Sequence, residues 1–185
     1  MRLPDLDEAN LSPQQRAISD RIKAGPRGAV VGPLRAWLTS PGLAERAQEL
    51  GAFCRYGSSL PTRLSELAIL VTGAHWRSGF EFAHHAPIGI AAGLSPDLVE
   101  AIRVGERPKG MTNEEEAVHD VAVELHRNKI VSDATYAHAE AVLGRVALVD
   151  LVGVLGYYTL ISMTINVFEV PLPDGAEDPF AGERS

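Results

Sequence analysis

Helix start signals recur ahead of the apolar segments of this chain, and they restrict its fold more than any other feature. Serine or threonine precedes proline, asparagine or aspartate at Ser12-Pro13, Ser40-Pro41, Ser95-Pro96, Thr112-Asn113 and Ser132-Asp133. Such pairs suit the N-cap and first turn of an α-helix. No segment alternates apolar and polar residues convincingly as a half-buried strand does, and the short run 28–31 has no partner strand. The sequence therefore predicts an all-α fold of seven or eight helices.

The helix boundaries follow from these starts and from the glycines and prolines that end each segment. Helices are expected over about 13–22, 40–53, 60–79, 79–93, 95–104, 132–143 and 147–168, with another beginning at 112. The helix after Ser40 carries Leu43, Ala47 and Leu50 on its apolar face. We divide the chain into an N-terminal arm and helix (1–40), a helical domain (41–173) and a polar C-terminal tail (174–185).

Composition indicates the class of protein. The 185 residues are 45% hydrophobic and 22% charged, which is typical of one globular domain. A net charge of −7 without a basic run argues against a nucleic-acid partner. A single cysteine, Cys54, excludes an intrachain disulfide, and residues 1–15 lack the apolar core of a signal peptide. We expect a cytoplasmic protein.

The last predicted helix contains an uncharged segment, 151–168, that reaches the length threshold for a membrane span. It also contains Thr159, Ser162, Thr164 and Asn166, and basic residues do not flank it closely. A helix buried inside a domain or an oligomer explains this pattern better than a membrane partner does.

Proton-handling side chains concentrate in one stretch, Leu60 to Gly93. Glu81 and His85 lie four residues apart, so they share a helix face, with His84 beside them. Glu66 lies on the preceding helix among core leucines, where desolvation would raise a carboxyl pKa. This group can transfer protons and hold an imidazole tautomer, which indicates acid–base chemistry.

Three other interpretations of these residues stay open. Glu81 and His85 could form an ordinary surface pair, and Glu66 could bond Arg63 one turn earlier. Two E-x-x-H spacings, Glu81 with His84 and Glu116 with His119, could ligate a metal, although H-E-x-x-H is absent. The second spacing lies in an acidic first turn that we expect to be solvated. We predict no metal.

The run ELAILVTGAHWRSGFEFAHHAPIGIAAGLSPDLVEAI resembles the carboxymuconolactone decarboxylase family, which includes the alkylhydroperoxidase D-like proteins. In the peroxidase branch a glutamate precedes a C-x-x-C pair, and a histidine follows the second cysteine by four residues. These spacings fall on Glu66 and His85, while Ser78 and Glu81 occupy the cysteine positions. The resemblance therefore implies the cysteine-free branch, because thiol peroxidase chemistry needs an attacking and a resolving thiol.

The resemblance implies an alkylhydroperoxidase D-like helical fold, chemistry without a cofactor, and self-association, with a trimer or hexamer expected and sites near subunit contacts. The corresponding hypothesis is a lyase acting on a small cyclic carboxylate or lactone. His85 would donate a proton, Glu81 would be its partner or the substrate-facing acid, and Glu66 would orient His85.

Several further residues complete this hypothesis. Ser78 and His84 would contact the substrate, and a substrate carboxylate would bind one of the arginines Arg55, Arg63 and Arg77. The alternatives are a non-catalytic oligomer that binds a small ligand, or a relative assigned peroxiredoxin-type activity by similarity although the C-x-x-C pair is absent.

Overall fold

The protein is described by a computed structural model that covers residues 1–4 and 6–182. Within these residues the chain forms eight α-helices and no β-strand, which confirms the predicted all-α class. The helices are α1 (Pro13–Ala24), α2 (Pro33–Trp37), α3 (Pro41–Ala52), α4 (Thr62–His75), α5 (Gly79–Ala91), α6 (Pro96–Arg103), α7 (Asn113–Asn128) and α8 (Asp133–Phe168). A 3₁₀ turn (Glu8–Asn10) precedes α1, and a π-helical turn (Phe53–Gly57) follows α3.

Four of the five helices that were predicted from start signals begin with a side-chain cap. Ser12 and Thr112 form capping boxes with Gln15 and Glu115, in which each partner accepts from the other's backbone. The hydroxyls of Ser95 and Ser132 accept one backbone bond each. The helix after Ser40 begins at Pro41 without a side-chain cap within the described chain.

The centre of the fold is α4, which is buried without interruption from Leu64 to Gly73. It packs against α5, α7 and α8, so its whole circumference lies inside the protein. A helix in this position needs apolar residues all round, which explains the leucine-rich sequence. Truncating Leu67 or Leu70 to alanine would cost about 2–5 kcal/mol.

Helix α8 is interrupted at Gly144, where φ is +79° and ψ is 164°, as the predicted break required. Among the described helices it is the one long and apolar enough to cross a membrane, a test that soluble core helices also pass. Leu151, Leu155 and Tyr158 point into the core. A second apolar stripe, which we call the exposed α8 face, consists of Val146, Val149, Val152, Met163 and Val167.

Two predictions about the N-terminal half need correction. Leu43 and Leu50 of α3 are nearly half exposed, and the buried positions are Ala44, Ala47 and Gly51. Small residues are needed there, since a Cβ on Gly51 would lie 2.0 Å from the hydroxyl oxygen of Tyr157. The short helix α2 was missed, because five residues carry little periodicity.

Both terminal segments pack on the body of the chain. The backbone N–H of Arg2 donates to the carbonyl of Phe168, and the Arg2 guanidinium pairs with Glu169 at 2.7 Å. Phe180 is fully buried, with its ring centroid 5.4 Å from that of Phe82. The sequence predicted a polar C-terminal tail and did not indicate that Phe180 would be buried. Residues 183–185 of the tail and position 5 of the N-terminal arm lie outside the described residues.

Candidate active site

Three buried ionisable side chains meet where α4 packs on α5. His85 Nδ1 lies 2.6 Å from Glu66 Oε2, and His85 Nε2 lies 2.9 Å from Glu81 Oε1. Each of the three residues is at most 3% exposed. We call Glu66, His85 and Glu81 the triad. The imidazole therefore has a carboxyl group on each of its two nitrogens, in a site from which water is excluded.

This arrangement changes the acidity of His85. Burial by itself lowers the pKa of an imidazole, because it penalises the charged form. The charge of Glu81 and the hydrogen bonds with Glu66 and Glu81 outweigh burial and raise the pKa of His85 to about 9. At neutral pH the ring is therefore an imidazolium that donates one N–H to each carboxylate.

Small residues allow the two helices to approach closely enough for these bonds. A Cβ on Gly73 of α4 would lie 3.7 Å from the Cβ of Glu81. A Cβ on Gly89 of α5 would lie 3.5 Å from the Cβ of Glu66 and only 2.9 Å from a methyl carbon of Leu94. An added Cβ at Gly89 would therefore first force the side chain of Leu94 to move, and it would touch Glu66 at ordinary van der Waals distance.

Aromatic rings surround His85 on two sides. The ring of Tyr158 from α8 lies edge-to-face with it, with centroids 5.3 Å apart. The ring of His84 lies 5.0 Å away at an interplanar angle of 80°. Tyr158 is missed by sequence reasoning, because 73 residues separate it from His85 and its apolar segment carries no motif. Burial, together with the charge of Glu81, raises the pKa of the Tyr158 phenol well above its usual value.

His84 connects the triad to a surface cleft of about 750 Å³. We call it the terminal cleft, because Met1, Leu3 and Pro4 line one side and residues 170–174 line another. Its remaining lining residues are Val31, Gly32, Arg35, Phe80 and His84. The ring of Phe80 stacks on that of His84 at 6.0 Å. The walls are mostly apolar, which suits a small cyclic ligand.

The protonation of His84 follows from its neighbour Arg55. Arg55 Nη2 lies 3.4 Å from His84 Nε2, and a guanidinium can only donate, so Nε2 accepts. Burial, followed by the charges of His85 and Arg55, lowers the pKa of His84. His84 is therefore a neutral ring whose proton is on Nδ1. Two adjacent histidines have pKa values shifted in opposite directions, a pattern typical of acid–base sites.

The structure brings one of the three candidate arginines close to the site. Arg55 reaches His84, whereas Arg63 pairs with Glu115 of α7 and Arg77 lies against the ring of Phe180. Ser78 precedes the first residue of α5 and is fully buried. Its hydroxyl has no hydrogen-bond partner among the described residues and does not line the terminal cleft.

The structure decides between the surface and buried interpretations of the pair Glu81 and His85. Glu81 and His85 are buried and do not form a surface pair, and Glu66 bonds His85 while Arg63 bonds Glu115. His119 is buried beside Asp120 at 2.8 Å, so the expectation of a solvated turn was wrong for that residue. In the triad the carboxyl groups contact opposite ring nitrogens and do not converge on one point. No metal-binding group of three such side chains occurs in the described residues.

The single cysteine lies outside this site and is not activated. Cys54 is fully buried, and burial together with the charge of Asp150 raises the pKa of its thiol to about 11. A reactive cysteine needs a lowered pKa and access to solvent. The thiol of Cys54 has neither of these properties.

Comparisons with known proteins identify the fold. No protein-family model matches the chain, and no curated protein matches it. Among solved structures, an uncharacterized peroxidase-related protein from Silicibacter sp. TM1040 is 14% identical with a TM-score of 0.77, covering 94% of this chain and 91% of that one. The alkylhydroperoxidase AhpD core of an uncharacterized peroxidase-related protein from Ralstonia eutropha JMP134 is 15% identical with a TM-score of 0.76, covering 94% and 92%.

A third similar structure is a cysteine-to-alanine variant of the debrominase Bmp8 in complex with 2,3,4-tribromopyrrole. It is 12% identical with a TM-score of 0.75, covering 98% of this chain and 95% of that one. These similarities show the alkylhydroperoxidase D-like fold that the sequence resemblance implied.

Proposed function

We propose that this chain is an acid–base enzyme without a cofactor, a lyase of the carboxymuconolactone decarboxylase type that acts on a small cyclic carboxylate or lactone. The observation that carries the proposal is the buried imidazole of His85, held between Glu66 and Glu81. Two carboxylates in a site without water keep a proton on this ring at neutral pH. The ring can therefore act as a general acid toward a carbanionic carbon.

Decarboxylation needs such an acid after the carbon–carbon bond breaks. Carbon dioxide leaves, and the electron pair of that bond stays on the ring as a dienolate. The Nε2 proton of His85 passes to Glu81, which delivers it to the carbanionic carbon of a substrate that reaches past His84 from the terminal cleft, because Glu81 itself does not line that cleft. Solvent reprotonates the imidazole by the same route after the product leaves. Glu66 holds Nδ1 throughout and fixes the orientation of the ring.

The terminal cleft is the proposed substrate site, and His84 is its polar contact with the ligand. Because His84 carries its proton on Nδ1, it donates a hydrogen bond to a carbonyl or dienolate oxygen, with Arg55 behind it. The mostly apolar walls suit the ring of a cyclic substrate. The complex of Bmp8 with tribromopyrrole supports a small cyclic ligand, since that protein has the same fold.

Binding without turnover is the second candidate. The observation that favours it is that none of Glu66, Glu81 and His85 is among the described residues lining the terminal cleft. In this case the triad would stabilise the α4–α5 contact, and the cleft would hold a small ligand for another purpose. Thiol peroxidase activity is not proposed, because Ser78 and Glu81 replace the cysteine pair and Cys54 is inert.

Both candidates are tested by incubating the protein with a panel of carboxylated cyclic lactones and measuring carbon dioxide release. We expect at least one compound to release carbon dioxide, and Glu81→Gln to lower that rate by about 10²-fold or more. Glu45→Gln is the matched control, since Glu45 only pairs with Arg21 on the surface. Saturable binding in the cleft without release from any compound would contradict the lyase and support the ligand-binding candidate.

A further inference from the structure

A second cleft lies away from the triad, between the C-terminal ends of α4 and α7 and the loop after α6. We call it the imidazole cleft. Its volume is about 470 Å³, and its floor is apolar, formed by Val71, Ala74, Ile102 and Val123. Of the described residues that line it, none belongs to the triad or the terminal cleft. Three histidines, His75, His119 and His126, line it together with seven charged side chains.

Two of these histidines form a stacked pair. The rings of His75 and His126 are 4.8 Å apart and nearly parallel, with an interplanar angle of 14°. Burial lowers the pKa of both rings, and for His126, where the charges of His75 and Lys129 add to it, the pKa falls to about 4. Both rings are therefore neutral at pH 7, although they line an open cleft.

Thr72 fixes the tautomer of His126. The Thr72 hydroxyl donates to the carbonyl of Ala68 at 2.9 Å, so its oxygen accepts from His126 Nε2, which lies 3.0 Å away. The proton of the neutral ring is thus on Nε2, and Nδ1 carries a lone pair. A further proton on His126 must go to Nδ1, and it leaves the bond to Thr72 intact.

Two cations near this pair take no part in the ion pairs around the cleft. Arg127 and Lys129 donate to the carbonyls of Gly105 and His126, and neither has an ion-pair partner in the described part of the chain. Among the acidic groups at the cleft, Asp120 pairs with Arg107 and His119. Glu124 bonds Ser132 and Thr135.

The charged groups that remain come from other elements. Glu106, in the loop after α6, is the remaining carboxylate among the described lining residues, and the wall also contains Arg77 and Arg103, of which Arg103 pairs with Glu100 at 2.7 Å. Arg127 and Lys129 are therefore the two cations near the stacked pair whose charge is not taken up by a paired carboxylate in the described chain.

We propose that the imidazole cleft binds a small oxyanion of the phosphate or sulfate type, and that binding adds a proton to the stacked pair of His75 and His126. Arg127 and Lys129 supply the positive charge, and the protonated pair supplies an additional N–H donor. An anion in the cleft favours the charged form of the imidazoles, so binding and proton uptake are linked. Affinity therefore rises as the pH falls toward 5.5. This inference is independent of the chemistry of the triad.

Sulfate is the appropriate probe, because it keeps its charge between pH 5.5 and 8 whereas phosphate titrates in that range. Calorimetric titration of the full-length protein should show one saturable site per chain. We expect affinity to rise about tenfold from pH 7.5 to 5.5, with proton uptake revealed by buffers of different ionisation enthalpy. In NMR titrations, sulfate should raise the midpoint of His126 by about one pH unit.

Variants that remove charge at the cleft and away from it distinguish binding at this site from a general effect of the protein's charge. Arg127→Gln with Lys129→Gln should weaken binding about tenfold or more, whereas Lys23→Gln with Arg145→Gln, which removes the same charge elsewhere, should change it less than twofold. His126→Asn should abolish most of the pH dependence, with thermal unfolding used to verify that the variant folds, whereas His75→Asn should retain it because the charge of His75 lowers the pKa of His126. Absence of saturable binding, equal weakening by both double variants, or unchanged pH dependence in a folded His126→Asn would overturn the proposal.

Discussion

Glu66 of α4 and His85 of α5 share a hydrogen bond of 2.6 Å, although they are 19 residues apart in the chain and both are buried. The bond joins two core helices through an ionised group, and Glu81 contacts the other nitrogen of the same ring. The contribution of this site to the stability of the protein therefore depends on one proton.

The first prediction is that stability falls between pH 6.5 and about pH 9. The unfolded chain releases the His85 proton near pH 6.5, whereas the folded chain keeps it until about pH 9. The contribution is complete below pH 6.5 and is lost as the pH rises through the folded pKa. Thermal unfolding of the wild type should show this decline, and Glu66→Gln should make it shallower because it lowers the pKa of His85. An unchanged slope in Glu66→Gln would contradict the assignment.

The second prediction concerns turnover by His85→Ala. If the triad supplies the proton, removing the imidazole should lower the rate of carbon dioxide release by about 10²–10⁴-fold. His138→Ala is the matched control, because His138 lies on the first half of α8 and has no contact with the triad among the described interactions. A folded His85→Ala protein with full activity would refute the catalytic assignment of the histidine.

The third prediction compares two glycines with positive φ. Gly28 has φ +69° and open space around its Cβ position, whereas Gly32 has φ +56° and a Cβ there would lie 2.5 Å from the ring of Phe80. Gly28→Ala should therefore cost only backbone strain, about 1–2 kcal/mol. Gly32→Ala should cost about 1–3 kcal/mol more, because Phe80 must move away from His84.

Denaturant unfolding of both variants measures this difference. Gly32→Ala should also weaken ligand binding in the terminal cleft, and Gly28→Ala should leave it unchanged. Equal loss of stability in the two variants would mean that the Phe80–His84 stack does not depend on close packing at Gly32.

The fourth prediction is that the chain self-associates through the exposed α8 face. Val146, Val149 and Val152 are more than half exposed, and they share one side of the helix with Met163 and Val167. Light scattering should show a trimer or hexamer, as the family resemblance implied. Val149→Asp should shift the protein toward monomers, whereas Ile130→Asp, at an equally exposed residue, should not. A monomeric wild type would contradict this prediction.

The sequence predicted the fold and the triad for a local reason. Adjacent residues specify where each helix starts, and the four-residue spacing places Glu81 and His85 on one helix face. Glu66 could be proposed as their partner because its leucine neighbours mark a buried helix. These inferences needed no knowledge of distant contacts.

The rest of the site depends on contacts between residues far apart in the chain. Arg63 is committed to Glu115, 52 residues away, so the sequence could not exclude it as a substrate contact. Tyr158 reaches His85 from α8, and Phe180 enters the core from an otherwise polar tail. Such pairings follow from the packing of whole helices, and no local pattern of residue types specifies them.

The most direct test of the central claim is a measurement of the protonation of His85. Nitrogen NMR of the full-length protein, with side-chain resonances assigned through His85→Asn, reports whether each ring nitrogen carries a proton. We predict that both nitrogens of His85 are protonated at pH 7.5 and that the ring titrates near pH 9. A neutral, single-tautomer ring at pH 7.5 would contradict the claim that Glu66 and Glu81 together hold a stored proton.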